Sequence, residues 1–194
     1  TVSVIVGKSN ILFSDNAENG TSNWTRSGSG SLTDTTYVSF WDGSKSFADS
    51  RYGNSVNNNN SYFTLNNNVS LSGTVNPRLE FSAKWATEEG FDFSRIQIST
   101  NNGSSWSTLA GKFTSVVSGQ HSYHGIKYWV KERISLQPYI GQNIRIRFFH
   151  DTDGGVPGDG FYFDNFRIVD YRDSLTSVNQ ISTSVPDKFD LFQN

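Results

Sequence analysis

The stretch that decides the fold is HDTDGGVPGDGFYFDNFRIV, His150 to Val169. It opens as an acidic, glycine-rich loop and closes as a strand. Asp151, Asp153 and Asp159 lie close together, spaced by Gly154, Gly155, Gly158 and Gly160. Glycine lets the backbone double back, and carboxylates so near one another repel unless they are solvated or share a cation. From Phe161 through Phe163 and Asp164 to Ile168 the residues alternate like a strand with one buried face. Asp164 falls inside that strand, where an ionised carboxylate needs a partner. A loop able to gather metal therefore leads into a strand that carries one more candidate ligand.

Working outward, further strands are expected at Val2–Val6, Ile11–Phe13, Tyr62–Leu65, Arg78–Trp85, Ser94–Thr100, Trp106–Phe113, Tyr128–Ile134 and Ile144–Phe149. Asn101-Asn102-Gly103 separates two of them and reads as a hairpin turn, since Asn and Gly tolerate positive φ. Apolar residues nowhere recur at helical spacing over three turns. Many short strands with Gly/Asn turns predict an all-β, antiparallel two-sheet β-sandwich, a jelly roll with its first and last main strands close together. The segment between Ser27 and Asn60 is rich in Ser, Gly, Asn and Asp and reads as loops with aromatic islands. After residue 172 the chain turns Ser/Thr-rich (LTSVNQISTSV) and then reaches Pro186. Residues 1–172 are therefore expected to form one sandwich domain and 173–194 a linker leading elsewhere.

Composition narrows the function. The chain has 194 residues, only 35% of them hydrophobic, but 15 Phe, 8 Tyr and 5 Trp allow a core built from few large rings. A net charge of −2 argues against a nucleic-acid binder that relies on phosphate contacts. With no Cys, disulfides and thiolate metal sites are excluded. No apolar run would span a bilayer, and no signal peptide is seen. Met is absent even at position 1, which suggests a mature product or a piece of a longer protein.

Catalytic chemistry finds no motif. His121 and His124 lie three apart in HSYH, with His150 and Glu132 further on, but no HExxH or HxxE sequence is present and a catalytic zinc is not expected. A nucleophile elbow is missing as well. Glu88, Glu89 and Asp92 read as a solvated turn or metal ligands rather than a glycosidase pair.

Several ordered motifs carry a resemblance: FSDNAENGTSNWT, SFADSRYGN, LEFSAKWATEEGFDFSRIQISTNNGSSWSTLAGKFT and WVKERISLQPYIGQNIRIRFFHDTDGGVPGDGFYFDNFRI. Together they resemble the galactose-binding-like jelly rolls found C-terminal to secreted bacterial metallopeptidases of the zinc carboxypeptidase and immune inhibitor A types. Those modules are related in shape to MAM and carbohydrate-binding domains. VPDKFDLFQN, Val185 to Asn194, is similar to the opening of a type IX secretion sorting domain. The resemblance implies a secreted or surface-attached bacterial protein whose catalytic domain lies elsewhere in the polypeptide.

It also implies a structural Ca2+, with Glu18 and Asp164 as ligands and Asp15 and Asp49 as additions. A second site from Asp151, Asp153 and Asp159 is a further candidate, although the EF-hand spacing and its terminal Glu are missing. Among the aromatics, Trp85, Trp106 and Trp129 are expected in the core. Trp24, Trp41, Tyr37, Tyr52 and Tyr62 fall in polar stretches where rings could stack on sugars. The expected function is a non-catalytic, calcium-stabilised accessory domain, monomeric, packing on or positioning its own catalytic domain. The alternative is a module that binds carbohydrate or a cell-surface polymer. Neither nucleic acid nor a membrane span enters either expectation.

Overall fold

The strand that closes the opening motif organises the molecule. A computed structural model describes residues 2–28 and 33–178. In chain order the strands are β1 (Val2–Asp15), β2 (Trp24–Ser27), β3 (Asp34–Thr36), β4 (Ser46–Ala48), β5 (Asn60–Leu65), β6 (Val69–Ser70) and β7 (Pro77–Ala86). They continue with β8 (Phe93–Ser99), β9 (Ser107–Thr108), β10 (Ser115–Val117), β11 (Gln120–Ser122), β12 (Ile126–Ser135), β13 (Asn143–Asp151) and β14 (Gly160–Val178). One sheet runs β12-β7-β14-β4-β3, with β1 also pairing β14, and the second runs β2-β5-β13-β8-β9, with β6 on β13. All these pairings are antiparallel, and β10 and β11 form a separate hairpin. The chain is thus the antiparallel two-sheet sandwich its alternation predicted, with β1 and β14 side by side.

Alternation in β14 is broken once. Asn165 takes φ 49°, and the register against β7 shifts between Asp164 and Arg167. That bulge returns Phe166 to the face already used by Phe161 and Phe163, so three rings of one strand reach the space between the sheets. Phe163 stacks on Phe148 of the opposite sheet at 3.7 Å and 6° between planes. Trp24 stands edge-on to Phe47, Phe63, Phe148, Phe163 and Phe166, at 5.1–6.3 Å. Such a cluster buries much area with few residues, which answers the low hydrophobic fraction.

Two expectations about elements change. Trp106–Phe113 contributes only the two-residue β9, because its Gly111 and the turn around it leave the sheet. The boundary expected at residue 172 falls within β14, where residues 173–178 continue the ladder with residues 2–7. Residues 179–194, with the rest of the expected linker and the sorting-domain similarity, lie outside the described residues. No helix long and apolar enough to cross a membrane occurs among the described residues.

Candidate metal site and adjoining cleft

Asp164 points away from the inter-sheet core, yet it is fully buried because the loop joining β3 to β4 lies over it. Its Oδ2 accepts the backbone N–H groups of Trp41 (2.9 Å) and Asp42 (3.2 Å), and its Oδ1 accepts that of Asn165 (2.6 Å). Glu18, from the loop between β1 and β2, grips the same covering loop one turn further on. Its Oε1 accepts the N–H groups of Ser44 (2.7 Å) and Lys45 (2.9 Å), and its Oε2 the Ser44 hydroxyl (2.6 Å). Lys45 Nζ returns a bond to the Glu18 carbonyl at 2.9 Å. Gly43 sits between the two carboxylates at φ 69°, where any Cβ would collide with Glu18 Oε1.

The two acids feel each other. Burial pushes the Asp164 carboxyl above the usual carboxylate range, and the nearby Glu18 charge pushes the same way against the pull of the three N–H groups. The Ser44 hydroxyl and backbone hold Glu18 below that range. The donor set is all carboxylate, which suits a hard cation in type. In number it stops at two side chains: no cluster of three or more His, Cys, Asp or Glu suited to a metal occurs among the described residues.

The other acids singled out in the sequence go elsewhere. Asp15 accepts the N–H of Ala17, the Asn23 amide and the Trp24 indole N–H, each at 2.9–3.0 Å, and so anchors the core tryptophan. Asp49 accepts the Phe161 N–H at 2.6 Å and the Ser55 hydroxyl at 2.8 Å. Asp151, Asp153 and Asp159 are held apart by separate partners. Asp151 pairs with Arg95 (3.4 Å), Asp153 closes on the Gly155 N–H (2.6 Å), and Asp159 pairs with Lys84 (3.0 Å) and accepts the Tyr162 hydroxyl (2.8 Å).

Beside the clamp a cleft of about 860 Å³ opens on the outer face of the first sheet. Asn16, Asn19, Asn23 and Asn165 line it, with Trp41 and Tyr171 at its sides. Glu80 lies at its base, paired with Arg133 (2.9 Å) and Arg167 (2.6 Å) and accepting the Tyr171 hydroxyl (2.9 Å). Glu80 thus offsets part of the positive charge of the two arginines, and the four asparagines supply amide groups along the same cleft. The sequence missed Glu80, Arg133, Arg167 and Tyr171; the signal was present as outward positions of strands read only for their inward ones.

The rings sort themselves differently from expectation. Trp24 belongs to the core, 4% exposed, because Asp15 satisfies its indole N–H while five phenyl rings enclose it. Trp41 is 40% exposed at the cleft, and Tyr37 and Tyr52 are 65% and 73% exposed. Tyr62 lies on β5 and stacks on Phe149. Trp129 is on the outer face instead of the core, since a register shift between Lys127 and Val130 turns it towards Trp41 and Ser39. Trp106 also faces outward, against Arg147.

A Ser–His–Asp trio does occur, but its wiring is unlike a nucleophile's. His150 Nε2 meets Ser55 Oγ at 3.1 Å and its Nδ1 meets Ser94 Oγ at 2.8 Å, while Asp49 bonds the serine and not the far ring nitrogen. All four side chains are buried, so the trio ties β8, β13 and the β4–β5 loop together.

Comparison with known proteins places this architecture. The immune inhibitor A-like MAM domain family matches residues 33–177. Pre-pro-metalloprotease PrtV of Vibrio cholerae serotype O1 (strain M66-2) is 29% identical over 109 residues, which cover 50% of this chain and 11% of that protein. The chain thus spans a small part of the curated relative it matches. Among solved structures, the CBM22-1 xylan-binding domain from Paenibacillus barcinonensis Xyn10C has a TM-score of 0.50 at 15% identity, covering 84% of this chain and 94% of that one. TmCBM61 in complex with beta-1,4-galactotriose gives 0.50 at 16%, covering 79% and 92%. The K2 cleaved adhesin domain of Lys-gingipain gives 0.50 at 13%, covering 80% and 96%. These three likenesses show a shared fold. With three quarters of its length matched, the chain belongs to the immune inhibitor A-like MAM domain family.

Proposed function

We propose that this chain is a non-catalytic accessory domain of a secreted bacterial metallopeptidase, that Ca2+ braces it at Glu18 and Asp164, and that it packs on or positions the catalytic domain. The observation that carries the metal reading is the convergence of both carboxylates on one loop, residues 41–45. A divalent cation would neutralise two acids of like sign, one of them fully buried, and fasten the β1–β2 loop to β14 beneath the loop that joins β3 to β4. Backbone carbonyls and water would complete the oxygen set. The same loop presents Tyr37, Val38, Phe40 and Trp41 to solvent, an apolar face suited to a neighbouring domain. A zinc carboxypeptidase parent, type IX export and a monomeric state remain parts of this proposal.

Thermal melting tests it. A cation that binds only the folded state should stabilise by roughly 2.7 kcal/mol at a hundredfold excess over its Kd. Excess calcium should therefore raise Tm over chelator, and Asp164→Ala should abolish most of the difference. Identical melting in calcium and chelator would sink the metal reading.

A second reading, a carbohydrate-binding module, is favoured by the asparagine-lined cleft beside Trp41. Amides at a rim and a ring at the side suit a hydroxyl-rich ligand with apolar C–H faces. Under this reading Trp41→Ala should abolish retardation of the protein in gels that contain a neutral polysaccharide. Loss of docking to the catalytic domain without loss of retardation would point back to the first.

A further inference from the structure

The outer face of the second sheet, on the far side of the sandwich from the cleft, carries a row of polar groups in register across five strands. Thr25 pairs with Thr64, Thr64 with Arg147, Arg147 with Gln97, and Gln97 with Thr108. Strands lie about 4.8 Å apart, so the row is roughly 19 Å long. Its centre is a fixed cation. The Arg147 guanidinium lies 4.3 Å from the Trp106 ring centroid and 4.8 Å from that of Tyr62, and its Nε donates to Gln97 Oε1. Tyr62 is itself held by Phe149, stacked at 4.7 Å and 12°.

Arg145 stands two residues away on the same face, donating to Asn68 Oδ1 (3.1 Å) and the Asn102 carbonyl (3.5 Å). Among the described residues neither arginine has a carboxylate within ion-pair distance, whereas Arg95 on the same face has Asp151. Half-buried arginines are normally paired, and a guanidinium already immobilised between two rings loses little entropy on gripping an oxyanion.

We infer that this row is a binding site for an acidic polysaccharide, lying across the strands with a carboxylate or sulfate group on Arg147 and Arg145 and its hydroxyls on the threonine positions, Gln97 serving to orient Arg147 from beneath. A peptide is disfavoured because the row crosses the strands on the sheet face, whereas strand addition would run along the free backbone of one edge strand, β2 or β9. The site is separate from the cleft beside Trp41 and does not depend on that reading.

Isothermal titration of the intact chain with a galacturonate hexamer, a sulfated heparin-derived hexamer, a neutral galactan hexamer and polyglutamate tests it. At least one acidic sugar should bind saturably, more weakly as salt rises, and more tightly than the neutral oligomer or polyglutamate. Arg147→Lys keeps the charge but loses the planar fork, and should weaken binding about tenfold with Tm unchanged. If that variant also loosens the fold, Arg145→Gln, with a half-exposed side chain, should show the same loss. Equal binding of the neutral oligomer or of polyglutamate, or unchanged affinity in the arginine variants, would overturn the site. Binding abolished by Trp41→Ala but untouched by Arg147→Lys would overturn it too, while leaving the cleft reading intact.

Discussion

Asp170 shows how this fold handles an interior charge. It is fully buried and accepts the N–H groups of Val75 and Asn76, both at 2.8 Å, and Arg172 Nε at 2.7 Å. Burial alone would raise its pKa, but these donors outweigh it and the carboxyl lies below its ordinary value. Its stabilisation is therefore complete above the unfolded-state value near 4 and is lost as pH falls through the lower folded value. Asp170→Asn should reduce stability by about 1–3 kcal/mol at neutral pH and flatten the acid limb of a urea-unfolding series. An unchanged acid limb would contradict this assignment. Asn165 supplies a backbone counterpart: at φ 49°, Asn165→Val should destabilise by about 1–2 kcal/mol while Asn165→Gly is tolerated, as chemical denaturation would register. Of the candidate site, what was legible is that Asp164, a carboxylate among phenylalanines, demands a partner. The partners were not legible. Residue types do not reveal which N–H and O–H groups will surround an acid, so the donors that meet Asp15 and Asp49, expected as additions to the site, were hidden as well.

Among the elements, β14 is central over one part of its length and peripheral over another. From Gly160 to Asp170 it is flanked by β7, with β4 or β1 on its other side; beyond Asp170 its ladder partner is β1 alone. A two-stranded ribbon is marginal by itself. Amides of residues 171–178 should therefore exchange with deuterium far sooner than those of residues 161–169, as mass spectrometry of peptic fragments would show. Equal protection would mean that something else covers the ribbon. The long strands were legible because alternation over many residues is hard to mistake. The two- and three-residue strands β3, β4, β6, β10 and β11 were not, since pairing with a neighbour defines them and no pattern of their own does. The bulges at Asn165 and between Lys127 and Val130 were equally hidden, and the second goes with the turning of Trp129 out of the predicted core.

For the whole molecule the two sheets meet through rings. Phe163→Ala removes the partner of Phe148 and one of the five rings around Trp24, and should destabilise the domain by about 3–5 kcal/mol in denaturant titrations. A loss under about 1 kcal/mol would mean the sheets are held together elsewhere. A different consequence follows from the outermost pair of the ladder, Val2 opposite Val178. Because β1 and β14 are antiparallel, both ends of the described chain leave the sandwich at one corner. Tension pulled through those ends would not shear the ladder along its length, loading all its hydrogen bonds together. It would open them like a zip, pair by pair from Val2 and Val178 inward, under low force, until it reached Phe13 and Asp15 beside the Glu18–Asp164 clamp. The clamp then stands as the mechanical stop of the domain: the corner yields readily and the ring-filled body behind the stop does not.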